Sequence, residues 1–190
     1  MDIKKYFSSI NHEILNYIIS RKIKDRFILE LCKIIIAKGG NGTIGLPIGN
    51  LTSQFFANVY LDVFDHFIKE RLRIKPYIRY MDDFCFFSNW KPHLKDLRFI
   101  VAEYLENNLS LKLKDSATLI NSKMHGLPFL GVRIFSNMVR YKKENFKRSY
   151  QKLKKREWEY KNGLMDIQKI EIFYWISRKL IFFAIYPVAI

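Results

Sequence analysis

The chain has little of the chemistry that stabilises small secreted proteins or zinc modules. Among its 190 residues only Cys32 and Cys85 are cysteines, and the four histidines are scattered. Two distant cysteines make neither a disulfide framework nor a zinc-ligand spacing, so we expect a reducing compartment. No signal segment opens the chain, and its longest apolar run, Leu180 to Ile190, is too short to span a bilayer. These absences argue against a disulfide-rich secreted domain, a zinc module and a membrane-spanning protein.

Acidic residues are also scarce, with 18 Asp and Glu against 33 Lys and Arg, which gives a net charge of +15. Such an excess of positive charge favours a polyanionic partner, either nucleic acid or an anionic membrane surface, and we favour nucleic acid. A soluble basic protein without such a partner is the plainer alternative. Because 49% of the residues are apolar, the chain can bury a core.

Hydrophobic periodicity predicts a mixed α/β layer followed by a helical piece. Helices are predicted from Asn11, from Asp25, from Leu51 to Leu72 and from Pro92. Strands are predicted at residues 75–80, 84–88, 109–114, 118–121 and 128–135. From about residue 142 the pattern is helical and strongly basic.

The segment YIRYMDDFCFF, residues 77–87, places two adjacent carboxylates in an otherwise apolar hairpin. Asp82 and Asp83 repel each other there, and burial raises the free-energy cost of each charge unless a cation meets them. Hard divalent cations such as Mg²⁺ prefer such oxygen ligands, and a pair of ions needs a further carboxylate, for which Asp2 is a candidate. The alternative is an ordinary surface turn, since Asp is a common turn residue.

Four segments, in order, resemble motifs of the bacterial reverse transcriptases. YMDDF resembles the YxDD box of that family, and DIKKYFSSI at 2–10 resembles its first catalytic motif, an Asp followed five residues later by an aromatic. GLPIGNLTSQ at 45–54 resembles the next motif, and GLPFLG at 126–131 resembles the segment that leads into the thumb. Together these segments are far more specific than any one of them.

The resemblance implies an α+β polymerase palm over residues 1–137, followed by a partial helical thumb of basic helices over residues 138–190. The palm is a ferredoxin-like or RRM-like βαββαβ sheet with helices on one face. The implied activity is RNA-directed DNA polymerisation with two Mg²⁺ ions, for which Mn²⁺ can substitute. The implied partners are an RNA template, a DNA or RNA primer, dNTPs and a small accessory protein, with no membrane. A bacterial or phage protein in the cytoplasm is expected.

The resemblance also assigns roles to individual residues. Asp2, Asp82 and Asp83, with Ile3 beside them, would hold the metal ions, which bind the dNTP phosphates and lower the pKa of the primer 3′-OH. Phe7 would pack under the sugar and exclude a 2′-OH. The other nucleotide-binding positions would be Tyr6, Ile48 and Gly49. Primer or template contacts would come from Ser53, Gln54, Arg79, Tyr80, Met81 and Gly131.

Ile48 stands where most bacterial reverse transcriptases have Gln, which is similar to the enzymes of diversity-generating retroelements. A Gln side chain can hydrogen-bond near the incoming nucleotide, and Ile cannot. Loss of that polar check is a physical route to lower selectivity, so we expect an error-prone enzyme. Defence-associated reverse transcriptases share parts of this pattern and remain an alternative subtype, and drift in a loop would also explain Ile48.

The family normally has a fingers region before the residue that corresponds to Asp2, and this sequence begins at Met1, so we expect a palm and partial thumb cut from a longer polymerase. Ala117 also replaces an expected Lys. We therefore expect Asp2 to fray and the chain alone to polymerise weakly or not at all. A non-catalytic remnant that binds RNA is the main alternative. An RNA-recognition-type module is a weaker one, since the aromatic strand signature of those modules is absent.

Overall fold

A computed structural model describes residues 1–164 except 41, 48 and 142. It contains helices and small antiparallel sheets, which confirms the predicted α+β class. The chain forms two compact units, Met1–Ile120 and Asn121–Ile190. The palm and thumb, with their boundary near residue 137, stay a prediction.

The helices of the first unit are α1 (Tyr6–Ser9), α2 (His12–Lys22), α3 (Arg26–Ala37), α4 (Leu51–His66) and α5 (Lys91–Leu109). Two of them begin where capping residues predicted a start. The Asn11 side chain accepts hydrogen bonds from the backbone N–H groups of Glu13 and Ile14 at 2.9 and 3.1 Å, and Asp25 caps α3 in the same way. The long helix predicted from Leu51 changes its hydrogen-bond pattern at Phe67–Arg71, which is a π-helical turn.

The predicted hairpin is present as two antiparallel strands, β1 (Tyr77–Tyr80) and β2 (Asp83–Phe86). Tyr80 pairs with Asp83, so the turn between the strands consists of Met81 and Asp82. Met81 has a φ of +54°, in the left-handed region that non-glycine residues rarely adopt. Asp83 is therefore a strand residue, whereas the sequence pattern placed both aspartates in the turn.

Residues 1–4 extend the hairpin on its open side. The Phe84 N–H donates to the Met1 carbonyl at 3.0 Å, and Asp2 forms a bridge with Asp83. On the other edge, the Lys114 N–H donates to the Asp2 carbonyl at 2.9 Å, and the Lys4 N–H donates to the Lys112 carbonyl at 2.8 Å. The expectation that Asp2 frays is wrong in this structure, because backbone hydrogen bonds hold the segment from both sides.

The segment after α5 is less regular than predicted. Helix α5 runs through Leu109, so only Leu113 of the predicted strand 109–114 forms a bridge, with Ile3. The strand predicted at 118–121 is wrong. The hydroxyl of Thr118 and the N–H of Ala117 both donate to the Lys114 carbonyl, which winds Asp115–Ala117 into a 3₁₀ turn.

The second unit contains a three-stranded antiparallel sheet and a basic helix. Its elements are β3 (Leu127–Phe129), β4 (Val132–Ile134), β5 (Val139–Tyr141) and α6 (Lys143–Lys161). The single strand predicted over residues 128–135 is divided by a turn at Leu130 and Gly131, whose φ values are +48° and +81°. The basic helix predicted from residue 142 is confirmed as α6. None of the described helices is long and apolar enough to cross a membrane.

The core of the first unit is centred on aromatic rings from α4, the hairpin and α5. The Phe64 ring is fully buried, and its centroid lies 5.3 Å from that of Phe84 and 6.1 Å from that of Tyr77, both in edge-to-face contacts. Phe67 stacks on Tyr104 at 3.9 Å. These contacts fasten α4 to the strand that carries Asp83.

Phe64→Ala should lower the free energy of unfolding by about 3–5 kcal/mol, because it removes a buried ring and leaves a cavity. Phe99→Ala is the matched control, since its ring is 72% exposed, and it should change stability by about 0.5 kcal/mol or less. Urea denaturation measures both. An equal loss in the two variants would contradict the assignment of Phe64 to the core.

Candidate active site

Asp2, Asp82 and Asp83 come together at one end of the hairpin. Asp2 and Asp83 are directly opposite each other, and the Met1–Phe84 pair next to them exchanges both backbone hydrogen bonds. Asp2 and Asp83 are thus a non-hydrogen-bonded pair, whose side chains share a face with Cβ atoms about 4.5–5.5 Å apart in general. Asp82 immediately precedes Asp83 in the turn, and all three residues are half-buried.

The electrostatics of this cluster disfavour its full ionisation. Burial raises the pKa of the Asp82 carboxyl above its usual value, and the negative charges of Asp2 and Asp83 raise it further. A hydrogen bond with the Asp2 side chain acts in the same direction, while a hydrogen bond to the backbone of Asp82 itself opposes them. A cation at this position would relieve the repulsion.

Lys114 supplies one positive charge to the cluster. Its Nζ lies 3.4 Å from Asp2 Oδ2, with the two side chains 52% and 27% exposed. An ion pair this exposed is worth little, about 0–1 kcal/mol. The Asp2–Lys114 pair therefore leaves most of the repulsion at Asp82 in place.

The cluster fits a hard divalent cation by its donor chemistry. All its ligand atoms are carboxylate oxygens, which Mg²⁺ and Mn²⁺ prefer. Within the described part of the chain, however, no three His, Cys, Asp or Glu side chains, these aspartates included, are grouped closely enough to hold a metal ion by themselves. Mg²⁺ sites of this type are generally completed by water and substrate phosphates rather than by protein alone.

Helix α4 forms hydrogen bonds with both segments that carry the carboxylates. The Tyr6 hydroxyl, close to Asp2 in sequence, donates to the carbonyl of Ala57 in α4. On the hairpin side, Arg79 Nε and Nη2 donate to the two oxygens of Asp65, also in α4, at 2.8 and 2.5 Å. One helix thus holds the first and the second acidic segment.

Phe7 is adjacent to the loop that contains Gly49, and both residues belong to the predicted nucleotide site. The Leu46 N–H donates to the Phe7 carbonyl at 2.8 Å, and the Gly45 N–H donates to that of Ile10. Gly49 has a φ of +100°, and a Cβ there would meet no described atom within 4 Å. That open space is compatible with a close approach by a ligand. Ile48 lies outside the described residues.

Three predicted ligand contacts need correction. The side chains of Tyr6 and Ser53 are buried, each residue being 2% exposed, so they pack in the core instead of facing a ligand. Ile3 is equally buried, so its predicted metal contact stays a prediction that involves its backbone. The Arg79 guanidinium is paired with Asp65 and is therefore engaged within the protein instead of being free for phosphates.

The remaining predicted contacts lie where a ligand can reach them. Tyr80 is 60% exposed at the end of the hairpin, Met81 is half-buried beside it, and Gln54 is exposed on the first turn of α4. Gly131 lies in the β3–β4 turn of the second unit.

Sequence comparison decides the family. The profile described as "Reverse transcriptase (RNA-dependent DNA polymerase)" matches residues 1–134. The chain belongs to the reverse transcriptase family. Protein YkfC of Escherichia coli K12 is 28% identical over 181 residues, an alignment that covers 74% of this chain and 47% of YkfC.

Two fungal intron proteins are also similar over shorter stretches. The COX1/OXI3 intron 2 protein of Saccharomyces cerevisiae is 27% identical over 79 residues, which cover 37% of this chain and 9% of the relative. A 91 kDa protein in the cob intron of Schizosaccharomyces pombe is 35% identical over 75 residues, which cover 36% of this chain and 9% of the relative. This reverse transcriptase chain thus spans about half of YkfC and a small part of each intron protein.

Two residues that contact predicted site residues are not among those predicted from the sequence. Asp65 pairs with Arg79, and a signal for it exists, because a partly buried arginine in an aromatic strand requires a carboxylate partner and α4 offers both Asp62 and Asp65. Lys114 has no such signal in the sequence. Its contact with Asp2 depends on strand pairing across more than a hundred residues, which no local pattern reports.

Asp82→Asn should raise the melting temperature at pH 7.5 in EDTA. Because the folded-state pKa of Asp82 is raised, its stabilising contribution is full below the unfolded pKa and is lost as pH rises through the folded pKa. Asn removes the negative charge that destabilises the native state at neutral pH. The difference in melting temperature between Asp82→Asn and wild type should therefore shrink as the pH falls toward 4. Asp96→Asn, on an exposed face of α5, is the control. A melting temperature of Asp82→Asn at or below that of wild type at pH 7.5 would contradict this account.

Proposed function

We propose that this reverse transcriptase chain is the catalytic part of an RNA-directed DNA polymerase that adds dNTPs to a primer 3′ end on an RNA template. The observation that carries the proposal is the acidic cluster, in which Asp2 and Asp83 are paired across neighbouring backbone segments and Asp82 immediately precedes Asp83 in the turn. Three half-buried carboxylates that repel one another are an arrangement that calls for divalent cations.

In this proposal the three aspartates hold two Mg²⁺ ions, or Mn²⁺ in their place. When bound, such ions neutralise phosphate charge and make a hydroxyl a better nucleophile. The chain itself positions the reactants. The hairpin presents Tyr80 and Met81 to the primer end, the open backbone at Gly49 admits the new base pair, and Phe7 packs under the sugar so that dNTPs are preferred to rNTPs.

The palm is assigned to residues 1–137 and the partial thumb to residues 138–190 as part of the same proposal. The support for the thumb is charge. Several exposed basic residues project from α6, where Leu153 is the buried anchor, and they include Lys147, Arg148, Lys152 and Lys154. Such a helix can contact phosphates along an RNA–DNA duplex through charge alone. The chain spans about half of YkfC. The activity of a complete polymerase and the binding of an accessory protein are therefore also part of the proposal.

The direct test is primer extension. The chain, incubated with an RNA template, a DNA primer, dNTPs and Mg²⁺ or Mn²⁺, should extend the primer weakly, and Asp82→Asn should reduce extension by about 10³-fold or more because a metal-binding carboxylate is lost. Asp96→Asn should extend like wild type. RNA binding should survive in both variants, because the basic residues that bind phosphates are unchanged.

The same experiment separates the alternatives. RNA binding without extension under any metal condition would support the non-catalytic RNA-binding remnant. Extension that persists unchanged in Asp82→Asn would contradict the assignment of the acidic cluster as the active site.

We also propose that the enzyme is error-prone, with a diversity-generating retroelement as its source and a defence system as the alternative. The support is the sequence at Ile48 alone. Ile48→Gln should lower misincorporation opposite template adenine, because Gln restores a hydrogen-bonding group near the incoming nucleotide. Sequencing of the extension products measures the misincorporation rate, and an unchanged error spectrum would contradict the hypothesis.

A further inference from the structure

Arg79 is fully engaged inside the first unit, and its contacts lead to the turn that carries Asp82. Its Nε and Nη2 form a two-pronged pair with Asp65, at 2.8 and 2.5 Å. Its remaining terminal nitrogen, Nη1, donates to the carbonyl of Met81 at 2.9 Å and to Asn58 Oδ1 at 3.2 Å. One side chain thus connects helix α4 with the hairpin turn.

The Met81 carbonyl is the part of the turn that most directly orients Asp82. It belongs to the peptide unit that joins Met81 to Asp82, so a hydrogen bond to it fixes the plane from which the Asp82 side chain departs. Met81 also needs support, because a left-handed conformation costs an L-residue about 1–2 kcal/mol. The described contacts supply that support through the guanidinium of Arg79.

Asp65, the base of this connection, is itself held in place. Its Oδ1 accepts a second hydrogen bond from the Tyr77 hydroxyl at 2.7 Å, and the Tyr77 ring packs edge-to-face on Phe64. The side chains of Arg79 and Asp65 are only 11% and 22% exposed. A planar, two-pronged ion pair with little solvent around it is geometrically rigid.

We propose that Asp65 and Arg79 form a turn clamp, a pair of positioning residues that hold the Met81–Asp82 turn so that Asp82 meets Asp2. The inference rests on the proposed polymerase function, in which Asp82 is a metal ligand. It assigns Arg79 to the support of a catalytic carboxylate instead of to the nucleic acid. Outer-sphere residues that orient metal ligands generally change metal affinity or activity by about 10–100-fold when altered.

The competing explanation is that the pair only stabilises the fold. Arg79→Lys separates the two, because Lys keeps a positive charge beside Asp65 but lacks the planar fork that reaches Met81 at the same time. Tyr77→Phe removes another hydrogen bond to Asp65 but keeps both bonds of the Arg79–Asp65 pair and the bond to the Met81 carbonyl, so it shows what a loss of stability at Asp65 does while Arg79 still contacts the turn. Arg98→Lys, in the exposed pair with Asp115 whose closest atoms are 3.5 Å apart, is the neutral control.

Three measurements on the full chain test the clamp. Hydrogen–deuterium exchange reports the amides of Asp82 and Asp83, Mn²⁺ titration followed by electron paramagnetic resonance reports metal affinity, and primer extension gives kcat and the KM for dNTP. In Arg79→Lys, exchange should be about tenfold faster and Mn²⁺ binding about 10–100-fold weaker. The value of kcat should fall by a similar factor while KM changes about threefold or less, since the loss lies in positioning. Tyr77→Phe should melt earlier with near-wild-type exchange in the turn, and Arg98→Lys should match wild type throughout.

A folded Arg79→Lys variant with exchange and Mn²⁺ affinity within about twofold of wild type would overturn the proposal. If that variant does not fold, Asp65→Glu, which keeps both charges but displaces the fork, gives the same comparison. Loss of folding in both variants would also count against a positioning role, since the pair would then be a requirement of the whole fold. If wild type neither extends primers nor binds Mn²⁺, the polymerase proposal fails, and the exchange data alone still decide whether Arg79 fixes the turn.

Discussion

The pairing of residues 1–4 between β2 and residues 112–114 is the constraint on which the candidate site depends. Backbone hydrogen bonds on both edges place Asp2 opposite Asp83. Because strand pairing alternates side chains between the two faces of a sheet, a shift by one residue would turn Asp2 away from its partners. The arrangement is held against the mutual repulsion of the carboxylates, so the fold sustains an electrostatic cost at the place where a cation would bind.

Helix α4 provides the rigid frame for this arrangement. Its buried face contributes Phe64 to the aromatic core, its Ala57 carbonyl receives the Tyr6 hydroxyl, and its Asp65 holds Arg79. The three contacts span more than two turns of one helix and reach both acidic segments. A helix that packs on two elements at once fixes their separation better than loops can.

Local patterns in the sequence predicted the helix starts and the hairpin, because capping and alternation leave short-range signals. The isolated carboxylate pair drew attention to Asp82 and Asp83, whereas the role expected of Asp2 came from the resemblance to the family's first motif. The irregular segment after Leu109 was mispredicted, since alternation alone cannot show that helix α5 continues through it. Arg79 was assigned to phosphates on charge alone, whereas its true partner, Asp65, depends on tertiary packing. Tyr6 and Ser53 likewise lie in recognisable motifs, but their burial follows from the way α1 and α4 pack.

The central claim is that Asp2, Asp82 and Asp83 share a bound cation. Titration of Mn²⁺ in the presence of a dNTP, followed by electron paramagnetic resonance, tests it most directly when wild type is compared with Asp2→Asn. We expect saturable binding by wild type and at least about a tenfold loss of affinity in Asp2→Asn, because one of the shared oxygen ligands is removed. Equal Mn²⁺ affinity in the two proteins would contradict a cation shared by the three aspartates.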